Sequence, residues 1–193
     1  MRASSPDARI RLPATLMARP TLNTERLLLR SFVPADAPAV QRLAAAREIA
    51  RSTLLIPHPY PEGAAEEWIA GHDESSPNQI FAIVLRESGE TMGAIGLHVE
   101  PQHERAEIGY WLGVPYWGRG YMTEAARAVV GFAFDEGFNR VFAYHFTRNP
   151  ASGRVLAKIG MQREGTLRQH VVKWGDRVDV DFYGVVRDEW ERR

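Results

Sequence analysis

The chain contains no cysteine. Disulfide frameworks, zinc–thiolate sites and a cysteine nucleophile are therefore excluded, and with them the commonest thiol carrier of an acyl group. Net charge is absent as well: 24 basic side chains offset 24 acidic ones. A balanced chain gives no electrostatic case for a nucleic-acid partner or a membrane surface. No apolar run approaches the about 18 residues that a membrane-spanning helix needs. Metal-ligand spacing is missing too. His58, His72, His98, His103, His145 and His170 are scattered, with no His-x-x-x-His pair, and His98 and His103 would face opposite ways on one strand. No metal is expected.

What is present suits one globular domain. The length of 193 residues, with 45% hydrophobic and 25% charged side chains, is enough for a sizeable core. Residues 1–20 read differently. Arg2, Arg9, Arg11 and Arg19 lie there among small residues and prolines, with no helical stripe. A transit peptide would be arginine-rich and also amphipathic, so this stretch reads as a flexible tail, with Met17 a second candidate initiator. The domain is expected over residues 21–193.

Along the domain, Thr24 to Phe32 alternates, with Leu27 and Leu29 on one face and Arg26, Leu28 and Arg30 on the other. It reads as a first strand. Pro34-Ala35-Asp36 opens a helix bearing Val40, Leu43 and Ala44 at helical spacing. Pro57 to Pro61 must be a loop, since proline removes donors, and a second helix follows from about Glu62 to His72. Ile80 to Arg86 and Thr91 to Glu100 read as a hairpin, Arg105 to Leu112 as a fourth strand, and Arg140 to Thr147 as a fifth. Helices are expected over Glu124 to Glu136 and Pro150 to Ile159. Met161 to Lys173 and Arg177 to Val186 close the chain as a hairpin, before a charged, solvated helical end. The order predicts a single α/β (α+β) domain with a mixed sheet of about seven strands and about four helices.

Between the fourth strand and its following helix lies Tyr116-Trp117-Gly118-Arg119-Gly120-Tyr121-Met122-Thr123-Glu124. A glycine-flanked turn there leaves the first helical amides unpaired, and the helix dipole adds positive charge: a site for phosphate or pyrophosphate. It is not a Walker loop, because Arg119-Gly120 stands where Lys and Ser/Thr would be needed. Nor is it a dinucleotide fingerprint, since Thr123 replaces the third glycine and no acidic residue ends a second strand.

Together with Glu107-x-Gly109-Tyr110-Trp111-Leu112, Asn149-Pro150-Ala151-Ser152 and Lys158-Ile159-Gly160-Met161, this turn resembles the GNAT acetyltransferase superfamily. Within it, the chain is similar to the RimJ/RimL-like branch, whose namesakes acetylate ribosomal-protein N-termini. The resemblance spans roughly residues 21 to 190. It implies a cytoplasmic N-acetyltransferase that passes an acetyl group from acetyl-CoA directly to a primary amine, on a protein N-terminus or a small molecule. No metal is implied, and a homodimer is common in that branch.

Residue by residue, the resemblance implies that Trp117, Gly118, Arg119, Gly120, Tyr121, Met122 and Thr123 hold the coenzyme. Met122 departs from the small residue usual at its place. Gly109, Tyr110, Trp111 and Leu112 would form the strand that splays from the fifth one to admit the pantetheine arm, its backbone N–H polarising the thioester carbonyl. Glu107 would deprotonate the amine; otherwise it is a strand-surface charge for Arg105 or Arg127. Leu156 occupies the position of the usual tyrosine acid, which leaves Ser152 as the substitute donor, with Asn149 on the coenzyme. Both also read as a helix-start motif. Tyr60 of the proline-rich loop, with Arg168 and Asp181 of the last hairpin, are candidates for binding the acceptor. The competing class is a non-catalytic acyl-CoA-binding sensor module, which Leu156 and Met122 favour.

Overall fold

The leucine alternation of the first strand settles at Leu27–Arg30 (β2), where Leu27 and Leu29 are fully buried. A short strand, Leu22–Asn23 (β1), pairs antiparallel beside it and brings the sheet to eight strands. The computed structural model describes residues 20–72 and 76–192, so the expected tail lies outside the described residues except for Pro20. Gln79–Leu85 (β3), Thr91–Glu100 (β4) and Arg105–Leu112 (β5) continue as an antiparallel meander. Arg140–Phe146 (β6) then joins β5 in parallel. Gln162–Lys173 (β7) and Asp176–Val186 (β8) form a hairpin whose second strand pairs with β6.

The β5–β6 junction is the feature that makes a site. It holds only at Arg105↔Arg140, Ala106↔Val141 and Glu107↔Phe142. Beyond Glu107 the two strands part, β5 staying with β4 and β6 with β8. A parallel pair needs a long crossover, here through Tyr121–Asp135 (α4), and the wedge opens at the end where that crossover begins.

Helices cover both faces. Ala37–Ala44 (α1), Arg47–Ser52 (α2) and Ala64–Ala70 (α3) precede β3, and α1 and α3 bury Ala37, Val40, Ala65 and Ile69 against Trp111 and Trp68. α4 and Pro150–Lys158 (α5) lie on the opposite face, where Ala125, Ala126, Val129, Val130 and Leu156 are fully buried in the main core. Each large apolar side chain shielded there contributes about 1.5–3 kcal/mol. α4 begins at Tyr121, earlier than its apolar stripe, because Gly120 at φ 81° ends the turn and releases the chain into helix. The sequence gives no warning of α2, whose six residues are too few to display a period. Arg187–Glu191 (α6) is less solvated than its charges suggest, since Trp190 packs on Phe134 with ring centroids 5.6 Å apart. No described helix is long and apolar enough to cross a membrane.

One buried polar knot fixes α1 to the sheet. Asp36 is 4% exposed and accepts from Arg30 at 2.7 and 2.9 Å, from the Val33 amide at 2.9 Å and from Thr91 Oγ1 at 2.5 Å. Burial alone would raise its pKa; the Arg30 fork, Thr91 and the Val33 amide outweigh that and hold it below the usual carboxylate range.

Candidate active site

The turn between β5 and α4 is built by two left-handed glycines, Gly118 at φ 75° and Gly120 at φ 81°. The first helical bond runs from the Glu124 amide to the Gly120 carbonyl at 3.1 Å, so the amides of Tyr121, Met122 and Thr123 have no partner within the helix. The Met122 side chain is 7% exposed and packs into the main core. Only its backbone faces the turn, which is why a large residue is accommodated at that place. Trp117 folds back over the strand end and donates its indole N–H to the Leu112 carbonyl at 2.6 Å.

Arg26 buttresses this turn from just before β2. Its guanidinium meets Glu124 at 2.7 Å, donates to the Arg119 carbonyl at 3.0 Å and lies 4.6 Å from the centre of the Tyr121 ring. Glu124 also accepts from the Arg26 amide at 2.8 Å and from Thr24 Oγ1 at 2.6 Å. Nothing in the turn's own sequence announces these partners, which lie about a hundred residues earlier.

In the wedge, the β5 side chains alternate. Tyr110 faces α5, and its hydroxyl lies 2.8 Å from Ser152 Oγ and 3.3 Å from the Ser152 carbonyl oxygen. Burial pushes the Tyr110 phenol well above its ordinary pKa. Asn149 caps α5, its side-chain oxygen accepting from the Ser152 amide at 3.4 Å. Asn149 therefore takes the helix-start role, whereas the Ser152 hydroxyl meets Tyr110 instead of a free amide; both residues also line the cleft. Leu156, one turn further on, is fully buried.

Glu107, Gly109 and Trp111 point to the other face. Glu107 stands opposite His98 on β4 and beside Phe142 on β6. Its carboxyl is pushed above the usual range by burial and, secondarily, by the charge of Glu100. The His98 side chain borders the cleft and is exposed there, and partial loss of solvation pushes its pKa down. The two arginines that could have made Glu107 a simple surface pair are engaged elsewhere: Arg105 with Glu100 at 2.7 Å and Arg127 with the Lys158 carbonyl at 2.9 Å. One cleft of about 800 Å³ joins these parts, running from Gly118–Thr123 through the wedge beside Tyr110 and Ser152 to Glu107 and Tyr60.

Arg168 and Asp181 fall outside that lining. Arg168 is exposed on β7. Asp181 is held by Arg163 at 2.7 Å and Thr166 Oγ1 at 2.5 Å, and the Thr166 hydroxyl, then Arg163, keep its pKa low. Tyr60 does border the cleft, and burial raises its phenol. Arg119 lends its carbonyl to Arg26 and is not itself in the lining.

A sheet parted between two parallel strands, with a glycine turn and an open helix start at its mouth, defines an α/β domain with an elongated cleft whose mouth carries unpaired amides, the kind of site that suits an anionic group. Residues 26–162 match the family described as the acetyltransferase (GNAT) domain. The N-acetyltransferase YoaA of Bacillus subtilis (strain 168), itself named as uncharacterized, is 34% identical over 172 residues, covering 87% of this chain and 97% of its own. An acetyltransferase (GNAT family) structure from Bacillus anthracis superposes with a TM-score of 0.80 at 25% identity, covering 88% of this chain and 99% of that one. RimL, the ribosomal L7/L12 alpha-N-protein acetyltransferase solved with coenzyme A, shares the fold with a TM-score of 0.78 at 22% identity, covering 88% and 99% of the two chains. The chain belongs to the GNAT family and is an N-acetyltransferase.

Proposed function

We propose that this chain transfers the acetyl group of acetyl-CoA directly to a primary amine, in a ternary complex. The observation that carries the reading is the continuity of the cleft from the open amides of α4, through the β5–β6 wedge, to the Glu107 carboxyl. The coenzyme supplies an activated acetyl thioester. Gly118 to Thr123 hold its pyrophosphate through backbone amides, while the unpaired edge of β5 from Gly109 to Leu112 offers N–H donors to the thioester oxygen. Glu107 receives a proton from the acceptor amine, and its raised pKa brings it closer to the pH at which it works.

On the leaving-group side, Ser152 donates a hydrogen bond to the departing sulfur. A hydroxyl is a weaker acid than a thiol, so Ser152 steadies the developing charge and keeps its proton. Tyr110, whose phenol burial makes still less acidic, backs Ser152 by donating to Oγ. Across the reaction the C–S bond gives way to a C–N bond; the protonated amine gives up two protons by way of Glu107 and solvent, the leaving thiolate takes one back from solvent, and one proton is released overall.

The test is free-thiol release from acetyl-CoA with a panel of primary amines, alongside calorimetry of coenzyme binding. Release that depends on an amine supports the transferase. A second reading, a non-catalytic acyl-CoA sensor, draws on Leu156, whose full burial removes the usual acid. It predicts binding with no release on any amine.

A further inference from the structure

The half of the cleft that faces Glu107 is built without a cation. Two lining side chains carry positive charge, Arg154 and Lys158, and both sit on α5, the helix beside the wedge. Arg105, on the same strand face as Glu107, is committed to Glu100 and stays out of the lining. Lys173 reaches the neighbouring loop from behind. It is 5% exposed, and its ammonium donates to the Leu54 and Ile56 carbonyls at 3.0 and 2.7 Å. His98, paired opposite Glu107 and exposed at the cleft, has its pKa lowered by partial desolvation, which disfavours its charged form. Glu107 is the one carboxylate in the lining among the described residues.

The rest of that half is apolar and aromatic. Gly96 and Gly109 face each other across β4 and β5, and a Cβ on Gly109 would meet nothing within 4 Å. This leaves a hollow beside Glu107. Around it stand Leu54, Ile56, Tyr60, Trp68, Tyr144 and Phe146. Leu54 and Tyr144 both pack against the small buried cluster of Phe146, Val178 and Val180, and Tyr144 is itself stacked on Phe182 at 5.4 Å, so the wall is firm.

We infer that the acceptor is a primary amine carried on an apolar or aromatic body, with no carboxylate or phosphate near the nitrogen. This rests on the transferase reading. The ammonium is drawn to Glu107 and the body fills the aromatic hollow, where cation and ring faces attract. An α-carboxylate would lie beside Glu107 with no opposing charge, as two like charges in a poorly solvated site. The outer ammonium groups of a polyamine would leave water for a wall that offers them no second carboxylate.

The experiment compares kcat/KM for phenylalaninamide, phenylalanine, 2-phenylethylamine, spermidine and a Phe-Gly-Gly amide, with thiol release as readout at saturating acetyl-CoA. Phenylalaninamide should exceed phenylalanine, and 2-phenylethylamine should exceed spermidine, by more than tenfold each. The peptide amide against 2-phenylethylamine tells whether the amine comes from a polypeptide or a small molecule. Equal or reversed ranking in either pair overturns the inference and leaves the transferase reading standing. Coenzyme binding with no release on any amine overturns that reading, and the inference with it. Leu54→Asp adds a carboxylate to the wall and should raise the spermidine-to-phenylethylamine ratio at least tenfold. A ratio within one preparation does not depend on how much protein is folded, so an unchanged value also overturns the inference.

Discussion

Glu107 is an acid that the fold makes less comfortable when charged. Because burial raises its folded pKa, the stability it contributes is present at low pH and is lost as pH rises from its unfolded to its folded pKa. Glu107→Gln should therefore have a higher melting temperature than the parent at pH 7, with the gap closing as pH falls through the carboxylate range. Activity should move the opposite way. Loss of the base should lower kcat/KM by about 10²–10⁴-fold near neutrality. The parent's acid limb should lie above the ordinary glutamate value of about 4.3 and vanish in the variant. Full activity with an unchanged pH profile would move the base elsewhere. Tyr110→Phe tests the other side of the wedge. It keeps the ring and removes the hydroxyl that meets Ser152 at 2.8 Å. A lost hydrogen bond to a half-buried group costs about 1–2 kcal/mol, so kcat should fall about tenfold while KM for acetyl-CoA changes little. That Glu107 and Ser152 could be singled out from sequence follows from their places in local motifs. The same resemblance puts Tyr110 on the splaying strand, but its hydrogen bond to Ser152 is not legible in sequence, because that partner lies 42 residues away.

At the scale of elements, periodicity made the long pieces legible, and Arg105–Leu112 has the bounds its pattern predicts. What stayed hidden were the ties between elements. Glu124 looks in sequence like a first-turn acid favourable to the helix dipole. In the fold it clamps α4 to the approach to β2 through Thr24 and Arg26. Burial would raise its pKa, but the Thr24 hydroxyl and the Arg26 amide and guanidinium prevail and lower it. Stability from this clamp is then present above the unfolded pKa and lost as pH falls through the folded one. The Arg26 side chain is 41% exposed, so solvent screening discounts the ion pair. Glu124→Gln should cost about 1–2 kcal/mol in a denaturant titration, mostly through its hydrogen bonds. It should also weaken coenzyme binding, since Arg26 holds the Arg119 carbonyl within the turn. Calorimetry that found coenzyme affinity unaltered would make the clamp purely structural.

The whole molecule is two unequal parts of one sheet, β1–β5 and β6–β8, joined edge to edge by three residue pairs and across the back by α4 and α5. That junction could not be read from composition or period, because a strand's parting from its neighbour leaves no mark on its own alternation; only the motif resemblance implied it. The physical consequence is that strand edges beyond Glu107 have donors and acceptors facing an open wedge, and an edge left unpaired calls for a partner. A coenzyme arm lying there would replace the missing strand contacts and tie the two parts together. At about 100 times its Kd a ligand adds about 2.7 kcal/mol to folding stability. With about 2–4 °C per kcal/mol for a chain of this size, acetyl-CoA should raise the melting temperature by roughly 5–11 °C. Location matters as much as size. Amide exchange should slow at residues 108–112 of β5 and at 118–123 of the turn, and should change little along β7, which lies two strands from the wedge. Stabilisation without protection of β5 would mean that the ligand binds outside the wedge, and the roles given to Tyr110 and Ser152 would fall with it.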